Sequence, residues 1–356
     1  MALAATLLAT AAALPQAARA QQPVQQPAPQ AVFSLPAPPP GFDPLTASAA
    51  DLARYGLPAR PNPLARDPAP YLAWSRAMAA ARHHVDAILR IVPRRHGPAA
   101  GLARLAPGKT AIPGATPLRA TPLGSTNWAG EALANGSTSF GGTAFHEIFA
   151  QWGLPSVQQA VGSCSGTDVS AIWVGIDGLA GSSDVAQAGT EGDAACAGGA
   201  TTGNYYGWFE WYPADTYEIL NFPVGPGSSV FVVVQIESAT SASATFVNLQ
   251  TGIYTSVGFF APSGTSLKGD SAEWVVERPA INANNDLGTL SDFGMIGMTA
   301  EVAFLADSST EQVPGSPGAG QTGYTLTMLD ANNNAIASAA PQGASAQFMY
   351  VQGSTE

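Results

Sequence analysis

The chain has 356 residues, of which 46% are hydrophobic and only 11% charged. A sizeable core is therefore possible, but its surface must be uncharged and polar, which suits an exported all-β protein better than a cytosolic helical one. The formal net charge of −11 is very unevenly spread.

Residues 2–14 form an apolar run of signal-peptide length, and Ala18-Arg19-Ala20 offers a cleavage sequence before Gln21. Residues 1–20 are expected to be a signal peptide. The rest is expected to be secreted, into the periplasm if the source is a Gram-negative bacterium. The run is too short to span a bilayer, and no later stretch reaches ~20 apolar residues, so no membrane partner is expected after cleavage.

Residues 21–120 read as a basic segment. They hold eleven Lys and Arg against four Asp, a net of +7. Residues 21–45 are rich in Pro, Gln and Ala and should be disordered or extended. Tyr71, Trp74, Met78, Ala81, Val85, Ile88 and Val92 recur at spacings of three and four, which predicts a helix over 70–92 ended by Pro93. Residues 93–122 are rich in Pro and Gly and read as a linker and processing site.

Beyond 120 the only bases are Lys268 and Arg278, against twenty-one acids, a net of −19. A basic segment beside so acidic a domain predicts an intramolecular clamp that weakens as the carboxyls protonate. Residues 21–120 are accordingly expected to be a pro-segment that inhibits the domain. A nucleic-acid-binding arm fits less well, because no Gly-Lys-rich run is present and an export signal precedes it.

Residues 121–356 alternate β-branched and aromatic runs with Gly, Ser, Asn and Pro clusters. Strands are predicted at 143–152, 169–177, 204–212, 229–237, 243–249, 253–260, 271–278, 295–304, 322–329 and 345–351, an all-β sandwich. Alternation puts Trp173, Gly175 and Asp177 on one face, Trp208, Glu210 and Tyr212 on one face, and Glu273, Val275 and Glu277 on one face. A sheet collecting acids and tryptophans is a substrate cleft in prospect. Cys164 and Cys196, in an exported protein, are expected to form a disulfide.

The familiar catalytic sets are missing from this part of the sequence. It holds one histidine, His146, and no Gly-x-Ser-x-Gly elbow, so a serine triad is disfavoured. His and Cys do not cluster as a zinc site requires, and no Asp-Thr-Gly or Asp-Ser-Gly occurs. No metal or cofactor is expected. Two bases in the whole domain disfavour phosphate substrates. Carboxylate chemistry at low pH remains: a Glu can take a proton from water and return it, and a Gln amide can hold an oxyanion without titrating.

Several ordered motifs resemble one family. They are Ser125-Thr-Asn-Trp128-Ala-Gly, Trp173-Val-Gly-Ile-Asp177-Gly, Gln187-Ala-Gly, Trp208-Phe-Glu210-Trp-Tyr212-Pro, Ala272-Glu273-Trp-Val-Val-Glu277 and Ser291-Asp-Phe-Gly. The chain resembles the glutamic peptidases, or eqolisins, which are secreted acid endopeptidases. The resemblance implies a concanavalin A-like sandwich of two antiparallel sheets acting on polypeptides. It implies a dyad of Glu273, as general base and then acid, with Gln187, which orients water and stabilises the oxyanion. It implies that Trp128, Trp173, Asp177, Trp208, Glu210 and Tyr212 bind substrate. A glycosidase or lectin-like sandwich using Glu210 and Glu273 is the competing reading.

Overall fold

The computed structural model describes residues 31–65, 67–105, 120–160, 164–179, 182–306 and 311–351. The expected signal peptide and the middle of the Pro-rich linker lie outside the described residues.

Strands dominate, and they form two leaves. In the first, antiparallel pairing runs from Thr216–Ile219 through Ala200–Tyr212, Val185–Ala197, Gly166–Ile176, Ser271–Glu277 and Trp128–Ala134 to Thr322–Leu329. The second runs from Ser345–Tyr350 through Met295–Leu305, Phe145–Gly153, Ser229–Ser238 and Ser241–Asn248 to Ile253–Phe260. Thr322–Leu329 pairs with Trp128–Ala134 up to Leu326 and with Ala335–Pro341 from Thr327. Ala335–Pro341 then pairs with Ser345–Tyr350, so one hydrogen-bonded seam joins the leaves.

Period-two alternation fills the space between them. Ile172, Val174, Ala186, Ala188, Phe209, Trp211, Trp274 and Val276 from the first leaf meet Ile148, Trp152, Val230, Val232, Phe246 and Phe259 from the second. Two buried indoles tie the leaves: Trp274 Nε1 donates to Phe149 O at 3.1 Å and Trp152 Nε1 to Thr190 Oγ1 at 2.9 Å. Close approach demands glycine at one point. A Cβ on Gly189 would lie 2.1 Å from Ile172 O and 2.5 Å from Trp173 Cβ.

All ten expected strands are present, with ends moved by up to four residues. The disulfide is also present, with Cys164 and Cys196 Cα atoms 5.2 Å apart. The sequence reading missed the strands Trp128–Ala134, Val185–Ala197 and Ala335–Pro341. These are rich in Ala and Gly, which favour strand only when neighbours on both sides offer a ladder.

The helix expected over 70–92 is shorter, Ala69–Ala80. Its buried Trp74, Ala77 and Met78 pack with Leu52 and Leu57 on the outer face of the second leaf, against Phe149, Phe231, Val233 and Val302. Burying a side chain such as Met78 stabilises by about 1.5–3 kcal/mol. Beyond Ala81 the chain turns extended because sheet edges accept it. Arg82 and His83 N–H donate to Gly252 O, and Leu89–Val92 adds antiparallel to Thr216–Ile219. Ile88, counted in the helical stripe, is consequently exposed.

Candidate active site

The outer face of the first leaf carries the acids and tryptophans. Pairing aligns Ala132, Glu273, Gly175, Gln187 and Glu210 in one row across five strands. The next row is Val275, Trp173, Gly189 and Trp208, and the one after is Trp128, Glu277, Ala171, Glu191 and Tyr206. Glu273 and Gln187 therefore sit two strand spacings apart, roughly 10 Å between backbones. Between them stands Gly175, where a Cβ would lie 2.8 Å from the Trp173 ring and 3.0 Å from Gln187 Cβ.

Residues 93–105 of the same chain cover this face. Arg95 bridges Ala280 by reciprocal backbone bonds of 3.1 and 2.9 Å. His96 follows, its ring stacked on Trp208 at 3.5 Å with the planes 9° apart. His96 N–H donates to Glu210 Oε2 at 3.0 Å, and its ring nitrogens lie 3.1 Å from Glu210 and 3.2 Å from Glu191. Gln187 Nε2 donates to the His96 carbonyl in a short contact. Trp128 Nε1 donates to Gly97 O at 3.1 Å, Asn127 Nδ2 to Pro98 O at 3.1 Å, and Ala99 N–H to Gly178 O at 2.9 Å.

Ion pairs hold the approach to this segment. Arg94 reaches Glu191 at 2.9 Å and Asp193 at 3.0 Å, Arg95 reaches Asp215 at 3.2 Å, and Arg90 reaches Glu218 at 2.5 Å. Burial works against the Arg94 charge, but Glu191 and Asp193 more than offset it and its pKa is raised. Burial, with Glu191 nearby, pushes Asp193 up to about 8 despite Arg94. His96 is lowered by its complete burial, against the pull of Glu210, and Glu210 is raised by the same cause.

Covered in this way, Gln187 and Glu273 are wholly buried. Burial raises Glu273 well above the usual carboxyl range, and Asp177 and Asp270 add to it. Gln187 Oε1 has no hydrogen-bond partner in the protein, and the Ser271 hydroxyl is the one donor that favours the charged Glu273. A carboxyl that can take a proton and an amide placed on a peptide carbonyl are parts of peptide hydrolysis.

The profile of the Peptidase A4 family matches residues 126–349. The chain belongs to that family. It is thus a glutamic endopeptidase, a hydrolase of peptide bonds. Aspergillopepsin-2 of Aspergillus niger is 26% identical over 242 residues, which cover 64% of this chain and 78% of that protein. Scytalidopepsin B of Scytalidium lignicola is 32% identical over 154 residues, 43% of this chain and 51% of that protein. The match thus spans about half of Scytalidopepsin B. The crystal structure of scytalido-glutamic peptidase with a transition state analog inhibitor superposes with a TM-score of 0.50 at 24% identity. It covers 64% of this chain and 98% of that one, a likeness of fold.

Within this family member, Gln187, Glu273, Trp128, Trp173, Trp208, Glu210 and Tyr212 share the covered face. Trp128 meets Trp173 edge-on at 4.9 Å. Tyr212 lies over Gly97, 3.3 Å from where a Cβ would be. Asp177 lies at the end of the strand that carries Trp173, near enough to Glu273 for its charge to act there. Its backbone turns left-handed, at φ 69°, and its oxygens accept from Lys268 and Asp270 N–H at 2.7 Å each. Burial, with Asp270 nearby, pushes it up to about 7. His146 lies elsewhere, its Nδ1 3.2 Å from Phe304 O. Glu210 and Glu273 are three strand spacings apart, roughly 14 Å between backbones, and Glu210 is engaged by His96 and by Thr216 at 2.5 Å.

Sequence reasoning missed His96, Arg94, Asn127, Glu191 and Asp193 as parts of the site. Glu191 and Asp193 were within reach, since alternation from Gln187 puts both on its face. Glu277, which accepts from Trp173 Nε1 at 2.8 Å, was placed on the right face but given no role.

Proposed function

We propose that this endopeptidase is exported, works in acid through Glu273 and Gln187, and is made as a zymogen whose residues 21–120 inhibit it. The observation that carries the reading is the row Glu273–Gly175–Gln187, with Glu273 wholly buried and with Gln187 already bonded to a peptide carbonyl. In the free cleft, Glu273 takes a proton from water as its oxygen attacks the scissile carbon. Gln187 orients that water and stabilises the oxyanion through Nε2. Glu273 then returns the proton to the leaving amine. Trp128, Trp173, Trp208, Glu210 and Tyr212 form the surface on which an extended polypeptide lies.

Acid enters twice. Opening the cleft hydrates Glu273 and brings its pKa back toward the ordinary carboxyl range, so a base is available at low pH. Acid also loosens the covering segment. The acidic face as a whole loses charge in acid while Arg90, Arg94 and Arg95 keep theirs, so the ion pairs upstream of His96 weaken. His96 would then carry its charge into a dry stack on Trp208 beside carboxyls that have become neutral. A digest of denatured protein from about pH 2 to 8 tests the reading. Activity confined below roughly pH 6 and indifferent to pepstatin-type inhibitors supports it, and a neutral optimum overturns it.

A further inference from the structure

We propose that His96–Gly97 is the first bond the enzyme cuts in its own chain, in cis, on acidification. The inference rests on the Glu273–Gln187 reading above and names a processing site within the segment that covers the cleft.

Three bonds cross the middle of the cleft, and their carbonyls differ in what they face. The Arg95 carbonyl accepts from Ala280 N–H, away from the dyad. The Gly97 carbonyl accepts from the Trp128 indole, and the bond after it leads to Pro98, whose nitrogen carries no hydrogen. Only the His96 carbonyl is on Gln187 Nε2. The bond is also held on both sides. Upstream, His96 N–H is on Glu210, His96 is stacked on Trp208, and Arg94 is in the Glu191–Asp193 pair. Downstream, Gly97, Pro98 and Ala99 are anchored through Trp128, Asn127 and Gly178. Such two-sided anchorage fixes a reacting carbonyl as a bound substrate is fixed.

Gln187 and Glu273 lie in the same row with only Gly175 between them, so a water admitted there meets both side chains and the His96 carbonyl. The water oxygen bonds to the His96 carbonyl carbon and Glu273 takes its proton. The C–N bond to Gly97 breaks, and Glu273 passes the proton to the departing amine. The products are a carboxyl on His96 and an amine on Gly97. Burial disfavours the charged form of Glu273 in the covered cleft, which makes it a poor base there. Acid weakens the ion pairs upstream of His96 and admits water, while the Trp128, Asn127 and Gly178 bonds, which do not titrate, keep the bond in place, and hydration brings Glu273 back toward the ordinary carboxyl range.

The test is to shift the purified full chain from pH 7 to about pH 3–4 and follow early cleavage by intact mass and N-terminal sequencing. A first product pair ending at His96 and starting at Gly97 is expected, with a first-order rate constant unchanged by roughly tenfold dilution, and no cut in Glu273→Gln. Gly97→Val, which presses a side chain on Tyr212, is expected to slow that cut at least tenfold. A first cut elsewhere, a rate constant that scales with concentration, or an unaltered rate constant in Gly97→Val overturns the proposal. If no cut occurs while casein is still digested, the processing site is wrong and the dyad reading stands. If casein is not digested either, both fall.

Discussion

Replacing Glu131 with Gln should make the protein tolerate neutral pH. Glu131 and Glu301 come from opposite leaves and meet in the sandwich interior, both fully buried. Burial pushes Glu131 up to about 8, and burial with Glu131 beside it raises Glu301 well above the usual range. An unfolded glutamate titrates near ~4.3. The folded pKa is the higher one, so this contribution to stability is full below about pH 4 and is lost as pH rises toward 8. At pH 7 the loss is about 3–4 kcal/mol, from roughly 2.7 pH units at 1.36 kcal/mol each. A glutamine has the same shape and does not titrate. Urea unfolding followed by tryptophan fluorescence, in a Glu273→Gln background that prevents self-digestion, should show Glu131→Gln within about 1 kcal/mol of its parent at pH 3. At pH 7 it should be more stable by about 3 kcal/mol. An equal difference at both pH values would refute the reasoning.

Three further outcomes follow from the same geometry. Gly175→Ala puts a methyl 3.0 Å from Gln187 Cβ and 2.8 Å from Trp173. It should lower turnover at least tenfold with the circular dichroism spectrum unchanged, and normal turnover would separate Gly175 from the dyad. Cys164→Ser opens a loop of 32 residues and should cost about 3–4 kcal/mol on the chain-entropy account, read as a lower urea midpoint. His96→Phe keeps a ring on Trp208 but cannot gain a charge among Glu210, Glu191, Asp193 and Arg94. His96 has a lowered pKa when docked, so its docking contribution is present above ~6.5 and fades as pH falls. The variant segment 21–120 should therefore go on inhibiting at lower pH than the parent segment, and an unchanged release pH would clear His96 of that role.

The parts that could be read beforehand are those whose causes are local. Ser229–Ser238 and Ile253–Phe260 are dense in Val, Ile, Phe and Tyr, and strand is the state their side chains favour. Glu273 and Glu210 sit in aromatic strands whose alternation already assigns their faces. Val185–Ala197, which carries Gln187, has almost no such residues and is a strand because Gly166–Ile176 and Ala200–Tyr212 flank it. Gln187 was reached through its motif rather than through propensity. The stretch 81–92 shows the reverse error. Its apolar spacing is helical, yet the open edges at Ile253–Phe260 and Thr216–Ile219 take its backbone. His96 looked like linker because its meaning lies in contacts with Trp208 and Gln187, roughly a hundred residues away. The charge imbalance did foretell the Arg94 and Arg95 pairs, though not which acids would receive them.

Turnover of a denatured protein in acid by Glu273→Gln and by Gln187→Ala, each checked for fold by circular dichroism, tests the central claim most directly. Each side chain is assigned a step that nothing else in the row performs, so each variant should remain folded and lose at least ~10²-fold in kcat. Near-normal turnover by either variant would contradict the dyad.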